Sequence, residues 1–152
     1  MRAVIQRVRS ARVYTGDELL GSCDAGVLIL LGVGPEDTEA EAERLCDKIV
    51  RMRIFSDPAG KMNLSLADVG GSALVVSQFT LYANCTHGNR PDFFGAAAPE
   101  RANALYTCFV EKMRSAGIVT GCGRFGADMR IEPVLSGPVT IMLDTDSLKK
   151  HA

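Results

Sequence analysis

The sequence predicts an α+β domain: a curled, largely antiparallel β-sheet carrying two main helices. Short apolar runs bounded by Gly, Pro and Asn recur along the chain and read as strands. Two segments, beginning near Thr38 and at Pro99, instead carry the 3.6-residue apolar period of a helix. The resulting order, β-β-β-α-β-α-β-β-β, indicates the α+β class. With 152 residues and no internal repeat, low-complexity tract or linker, the chain reads as one domain, 1–152, long enough to bury a core.

Residues 2–15 are β-rich, and Gly16-Asp17 reads as a turn into "ELLGSC". "GVLILLGV" (26–33) is a compact apolar run expected to be a buried strand, ended by Gly34-Pro35. Thr38 and Glu41 form a capping box, in which hydroxyl and carboxylate each satisfy a free amide at a helix start. The helix that follows places Ala42, Leu45, Cys46, Ile49 and Arg53 at i, i+3, i+4 spacing, with Glu39, Glu43 and Asp47 facing solvent. "SDPAGKMN" (56–63) is turn-rich.

"LVVSQFTL" (74–81) reads as a core strand interrupted by Ser77, Gln78 and Thr80, with Phe79 and Leu81 alternating to pack the sheet. Each such polar group costs roughly 1–3 kcal/mol if buried without a partner. The three therefore mark a structural hydrogen-bond set or the floor of a pocket. After the loop "NCTHGNRPDFFGAAAP", Pro99 suits a first helical position, the stripe is Leu105, Cys108, Phe109 and Met113, and Gly117 closes the helix. Short strands are expected around 118–123, 129–135 and 138–144.

Charge and composition exclude several classes. Seventeen Lys and Arg against eighteen Asp and Glu argue against a general nucleic-acid coat, though not against gripping one end of an RNA. Arg2, Arg7, Arg9 and Arg12 cluster at the start, as a solvated strand face or a phosphate-contacting patch. The start "MRAVIQRVRSARV" lacks the apolar segment of a signal peptide, and no apolar run approaches the about 18 residues that span a membrane. Five scattered cysteines (23, 46, 85, 108 and 122) without a C-x-x-C pair indicate neither zinc site nor disulfide framework, and fit a reducing cytosol.

The usual catalytic signatures do not carry through. "GCGRFG" (121–126) matches G-x-G-x-x-G, but "ADMRIEPVL" behind it has no helical face to hold a pyrophosphate, so the glycines shape a tight strand connection. His87, two residues from Cys85, has no third orienting group, and His151 is penultimate. Asp144 and Asp146 read as a solvated pair on one strand face. No H-E-x-x-H, Walker loop or G-x-S-x-G occurs. What remains is "SQFTL" (77–81) and "LSGPVTIML" (135–143), where Gly137-Pro138 is either a strand-start turn or a cis peptide whose carbonyls could form a rigid acceptor pair.

With both stretches in view, the chain resembles the D-aminoacyl-tRNA deacylase family over essentially its whole length. The resemblance is carried by "MRAVIQRVRSARV", "SQFTLYA", "GNRPDF" with "PERANALY", "GRFGADM" and "GPVTIMLDT". It implies a barrel-like fold and a homodimer that hydrolyses the ester between a D-amino acid, or glycine, and the 3′-terminal adenosine of tRNA, with no metal or other cofactor. By the same resemblance, Gly137-Pro138 is a Gly-cis-Pro element that reaches into the partner's pocket, receives the substrate ammonium and rejects L-aminoacyl-tRNA. Ser77, Gln78, Phe79 and Thr80 line the pocket, with the Gln78 and Phe79 amides near the scissile carbonyl. Phe125 and Met129 face the adenosine, and Arg7 braces the Gly-Pro loop. One departure stands out: the family pattern N-x-G-P is here Leu135-Ser136-Gly137-Pro138. The alternatives are a related editing hydrolase with altered substrate choice and a non-catalytic binder of tRNA ends.

Overall fold

Strand β1 (Arg2–Thr15) organises the sheet in the computed structural model, which describes residues 1–148. On one side it pairs antiparallel with β2 (Glu18–Cys23) and β3 (Gly26–Gly32), and on the other with the long β8 (Arg130–Asp144). Strand β6 (Ser72–Ser77) lies parallel to β3, and β7 (Thr120–Cys122) parallel to β6. The sheet is therefore mixed, with order β2-β1-β3-β6-β7 and β8 alongside β1. A small hairpin, β4 (Phe55–Ser56) and β5 (Met62–Leu64), stands apart.

The sheet curls until β2 approaches β7, and two glycines make that approach possible. A Cβ on Gly121 would lie 2.5 Å from the Ser22 carbonyl oxygen, and one on Gly21 would strike the backbone of Cys122. Only hydrogen fits between these backbones. The barrel is nearly closed.

Curling explains the unbroken apolar runs. Val27, Ile29 and Leu31 of β3 and Ala73 and Val75 of β6 point into the core beneath the helices, while Leu28, Leu74 and Val76 fill a second core on the opposite face. Strands buried on both faces need no polar alternation. Strand β1 serves both cores: Ala3 and Ile5 join the first, and Val8, Ala11 and Val13 the second. The break in the every-other-residue pattern falls where its register against β8 shifts, between Gln6 and Val8 and again between Val8 and Ser10.

Helix α1 (Glu39–Arg51) begins at the expected box: Thr38 Oγ1 accepts from the Ala40 amide at 3.2 Å, and the Thr38 amide donates to Glu41 at 2.6 Å. It buries Ala42, Leu45, Cys46 and Ile49, but Val50 takes the place expected for Arg53, which lies beyond the helix and is exposed. Helix α2 (Pro99–Ser115) buries Leu105, Phe109 and Met113, together with Ala102, Tyr106 and Val110. Gly117 adopts φ +86° just beyond it.

Three expectations need correction. The strand in "LVVSQFTL" stops at Ser77, and Phe79–Tyr82 form a short 3-10 helix, so Phe79 and Leu81 do not alternate on the sheet. The two strands expected over 129–144 are one, because β1 pairs on both sides of the Gly-Pro step, Val8 with Leu135 and Gln6 with Thr140. Asp144 and Asp146 are not a strand-face pair: Asp144 ends β8, pairs with Arg2 at 3.1 Å and caps a 3-10 turn that contains Asp146. His151 lies outside the described residues.

Phe109 is fully buried between α2 and the sheet. Phe109→Ala is expected to cost about 3–5 kcal/mol, read as a lowered urea midpoint with an unchanged slope.

Candidate active site

The end of β6 opens onto a cavity of about 550 Å³. Its floor is Val76, Ser77, Gln78 and Phe79, and its far wall is Phe125, Gly126, Ala127, Met129 and Ile131, from the β7–β8 connection and the start of β8. Phe93, Ala96 and Ala97 of the loop before α2, with Pro99 and Ala102 of α2, complete it. The connection after "GCGRFG" is extended and turning rather than helical.

The change from strand to 3-10 helix decides which backbone donors are left without an acceptor. The Gln78 amide donates to the Leu31 carbonyl at 2.7 Å, as the last rung beside β3. Among the described residues, the next two amides, of Phe79 and Thr80, donate to no protein acceptor. That is the ordinary condition at the start of a helix, where the first N–H groups have no preceding carbonyl. The Gln78 side-chain amide donates to the Thr80 hydroxyl. The Phe79 ring is 56% exposed and packs edge-on against Phe93, with ring centroids 5.0 Å apart.

The far wall is held from behind. Phe125 packs against Tyr106, whose hydroxyl donates to the Val75 carbonyl at 2.9 Å. Burial pushes the pKa of that phenol up, so it stays neutral and keeps donating.

The residues singled out from the sequence fall into two groups. Ser77, Gln78, Phe79, Phe125 and Met129 share the cavity, and Thr80 follows directly, exposed. Arg7, Gly137 and Pro138 do not line it. They meet along β1 and β8, where Arg7 Nε donates to the Ser136 carbonyl at 3.2 Å and Nη1 to the Ile54 carbonyl at 2.7 Å. The Gly137-Pro138 peptide is cis, and both residues are exposed, as is Leu135. A Cβ on Gly137, where φ is +122°, would lie 3.0 Å from Arg7 Nη2 and 3.0 Å from Val139 Cγ2.

Sequence reasoning missed Phe93 and the alanines beside it. The available signal was two phenylalanines inside a loop rich in Gly, Pro and Asp, with no apolar period to place them in a core. The basic cluster divides: Arg2 is tied to Asp144, the Leu81 carbonyl and the Tyr82 ring, Arg7 holds two carbonyls, and Arg9 and Arg12 are exposed. Among the described residues, no group of three or more His, Cys, Asp or Glu could hold a metal ion, and no helix is long and apolar enough to cross a membrane.

Comparison with known proteins gives a consistent answer. Residues 4–144 match the family model described as D-Tyr-tRNA(Tyr) deacylase. The D-aminoacyl-tRNA deacylase of Lacticaseibacillus casei is 51% identical over 147 residues, covering 97% of this chain and 99% of that protein. That of a Jannaschia species is 54% identical over 147 residues, covering 97% and 100%. Among solved structures, a c-Myc DNA unwinding element binding protein superposes with a TM-score of 0.89 at 39% identity, covering 95% of this chain and 98% of that one. A probable eukaryotic D-amino acid tRNA deacylase superposes at 0.81 with 18% identity, covering 93% and 97%, and shows the shared fold.

The thiols sit largely apart from this cavity. Burial pushes Cys23 and Cys46 up from the usual 9.0 to about 11. Below pH 9 both the folded and the unfolded chain keep these protons. Between pH 9 and 11 the unfolded chain releases them and the folded chain holds them, so stability falls as pH rises. Urea midpoints across that window are expected to fall more steeply for the unmodified protein than for Cys46→Ala.

Proposed function

The chain belongs to the D-Tyr-tRNA(Tyr) deacylase family, and from that premise we propose that it hydrolyses the ester joining a D-amino acid, or glycine, to the 3′-terminal ribose of tRNA while rejecting L-aminoacyl-tRNA. Beyond the family match, the observation that carries this reading is the pair of undonated amides at Phe79, on the floor of a largely apolar cavity, and at Thr80, the residue that follows it. An aminoacyl ester is already activated. Water adding to its carbonyl carbon puts negative charge on the carbonyl oxygen, and fixed N–H donors stabilise that charge without reorganising. Collapse of the intermediate expels the ribose oxygen, which takes up a proton. The neighbouring ribose 2′-hydroxyl helps to place the water.

In this reading the donor set is shifted by one residue from the sequence expectation. The Gln78 amide is engaged with Leu31, which leaves Phe79 and Thr80. Ser77 lines the floor, Phe125 and Met129 offer an apolar wall to the terminal adenine, and the Thr80 hydroxyl, held by Gln78, orders the turn.

Gly137 and Pro138 act on the cavity of a second copy. Supporting this, both are exposed and stand outside their own chain's cavity. Val134, Leu135 and Met142 on the same strand are 51%, 44% and 80% exposed, and among the described residues β8 pairs only with β1. A long apolar edge strand of this kind invites a partner. The departure at Leu135 leaves the brace intact, because Arg7 holds the main-chain carbonyl of Ser136, which does not depend on the side chain at 135. With an ammonium held by two carbonyls and the ester by amides, one direction at Cα stays open: a D side chain leaves and an L side chain meets backbone. Five free cysteines suit a cytosolic setting for this activity.

Release of amino acid from D-tyrosyl-, glycyl- and L-tyrosyl-tRNA tests the reading. The protein is expected to sediment as a dimer and to cleave the first two substrates but not the third. Gly137→Ala, whose Cβ meets Arg7 and Val139, is expected to lose activity or chiral discrimination; a variant with both unchanged would contradict the role given to this loop.

A further inference from the structure

Phe94 has no structural explanation within the fold. It is 92% exposed, more than any other large apolar side chain among the described residues. Its neighbour Phe93 turns inward to line the cavity and pack against Phe79. The loop that carries both is pinned rather than slack. Asn84 and Asp92 exchange backbone hydrogen bonds at 2.8 and 3.0 Å, the Ala96 amide donates to the Phe93 carbonyl at 3.0 Å, and the Ala97 amide donates to the Val33 carbonyl at 2.9 Å. Phe94 is thus a ring held out into water on a fixed loop, one residue from the cavity wall. Within the same loop Arg90 is exposed, and among the described residues it has no carboxylate partner.

We propose that Phe94 is a stacking platform for an unpaired base of the tRNA 3′ end, upstream of the terminal adenosine, with Arg90 meeting the adjoining phosphate. The inference rests on the deacylase reading. A cavity of about 550 Å³ is of the size that encloses a single small ligand, here the terminal nucleoside and its amino acid. The nucleotides before it must cross the rim, single-stranded and anionic. Aromatic side chains with a nearby cation are what such a strand selects, because every base has a face to stack and every linkage a charge to neutralise. An exposed ring costs solubility and adds nothing to this core, whereas a base laid on it takes one face of the ring and one of the base out of water.

The test compares D-tyrosyl-tRNA with D-tyrosyl-adenosine, which carries the same ester and no upstream nucleotides. Phe94→Ala is expected to raise KM for the tRNA about tenfold with kcat little changed, and to leave KM for the adenosine ester unmoved. Phe94→Trp should restore the tRNA KM, and Phe94→Leu should not. An unshifted tRNA KM in Phe94→Ala would overturn the inference, as would an equal loss on both substrates or dissociation of a dimer into single chains. An unmodified protein inactive on both substrates would overturn the deacylase reading itself, and this inference with it. Activity of the unmodified protein with no Phe94 effect would overturn the inference alone.

Discussion

Strand β6 leaves the sheet at Ser77, beside Leu31 of its parallel neighbour β3. The Gln78 amide takes the Leu31 carbonyl as its last rung, and β3 finishes at Gly32. The chain then folds back over that glycine: a Cβ on Gly32 would lie 3.0 Å from the Gln78 carbonyl oxygen and 3.1 Å from the Leu81 Cβ. Past that rung the backbone turns into a 3-10 helix, the Val33 carbonyl being taken by the Ala97 amide, and two amides are left without carbonyl partners. The cavity floor, its donors and the outward placement of Phe79 follow from that one termination.

A site built from main chain asks for rigidity in place of reactive side chains. The two cores on opposite faces of the sheet pack β3 and β6 from both sides, and Tyr106 ties the far wall to the Val75 carbonyl. Donors fixed this way undergo little reorganisation when charge appears beside them, which is the main source of rate in electrostatic catalysis. The arrangement also divides labour along the sheet. The proposed chemistry lies at the end of β6, and the Gly137-Pro138 loop, held from Arg7 by a main-chain contact, is presented outward on β8.

Much of this was legible in the residues, and the failures share a cause. The capping box at Thr38, the Pro99 start of α2 and the β-rich opening strand are local signals, and the structure places each where the sequence did. Phe79 and Leu81 misled because apolar alternation is the mark of a strand, whereas Phe79 is apolar here to line a cavity. Gly137-Pro138 looked like a strand boundary because proline ordinarily leaves a ladder. Only the partner strand β1, shifting its register opposite, carries β8 past it. The parallel pairs β3-β6 and β6-β7 are likewise long-range facts that no local run encodes. The engagement of the Gln78 amide belongs with them, since it depends on a carbonyl 47 residues away, 78 minus 31.

In the proposed reaction, backbone N–H groups at the start of this 3-10 helix stabilise the developing charge. Replacing the Phe79 residue by its α-hydroxy counterpart, which exchanges that one N–H for an ester oxygen and keeps the ring, tests this most directly. The expected result is a fall in kcat on D-tyrosyl-tRNA on the order of 100-fold, with KM and urea midpoint nearly unchanged. An unaltered kcat would contradict it and move the chemistry to a side chain.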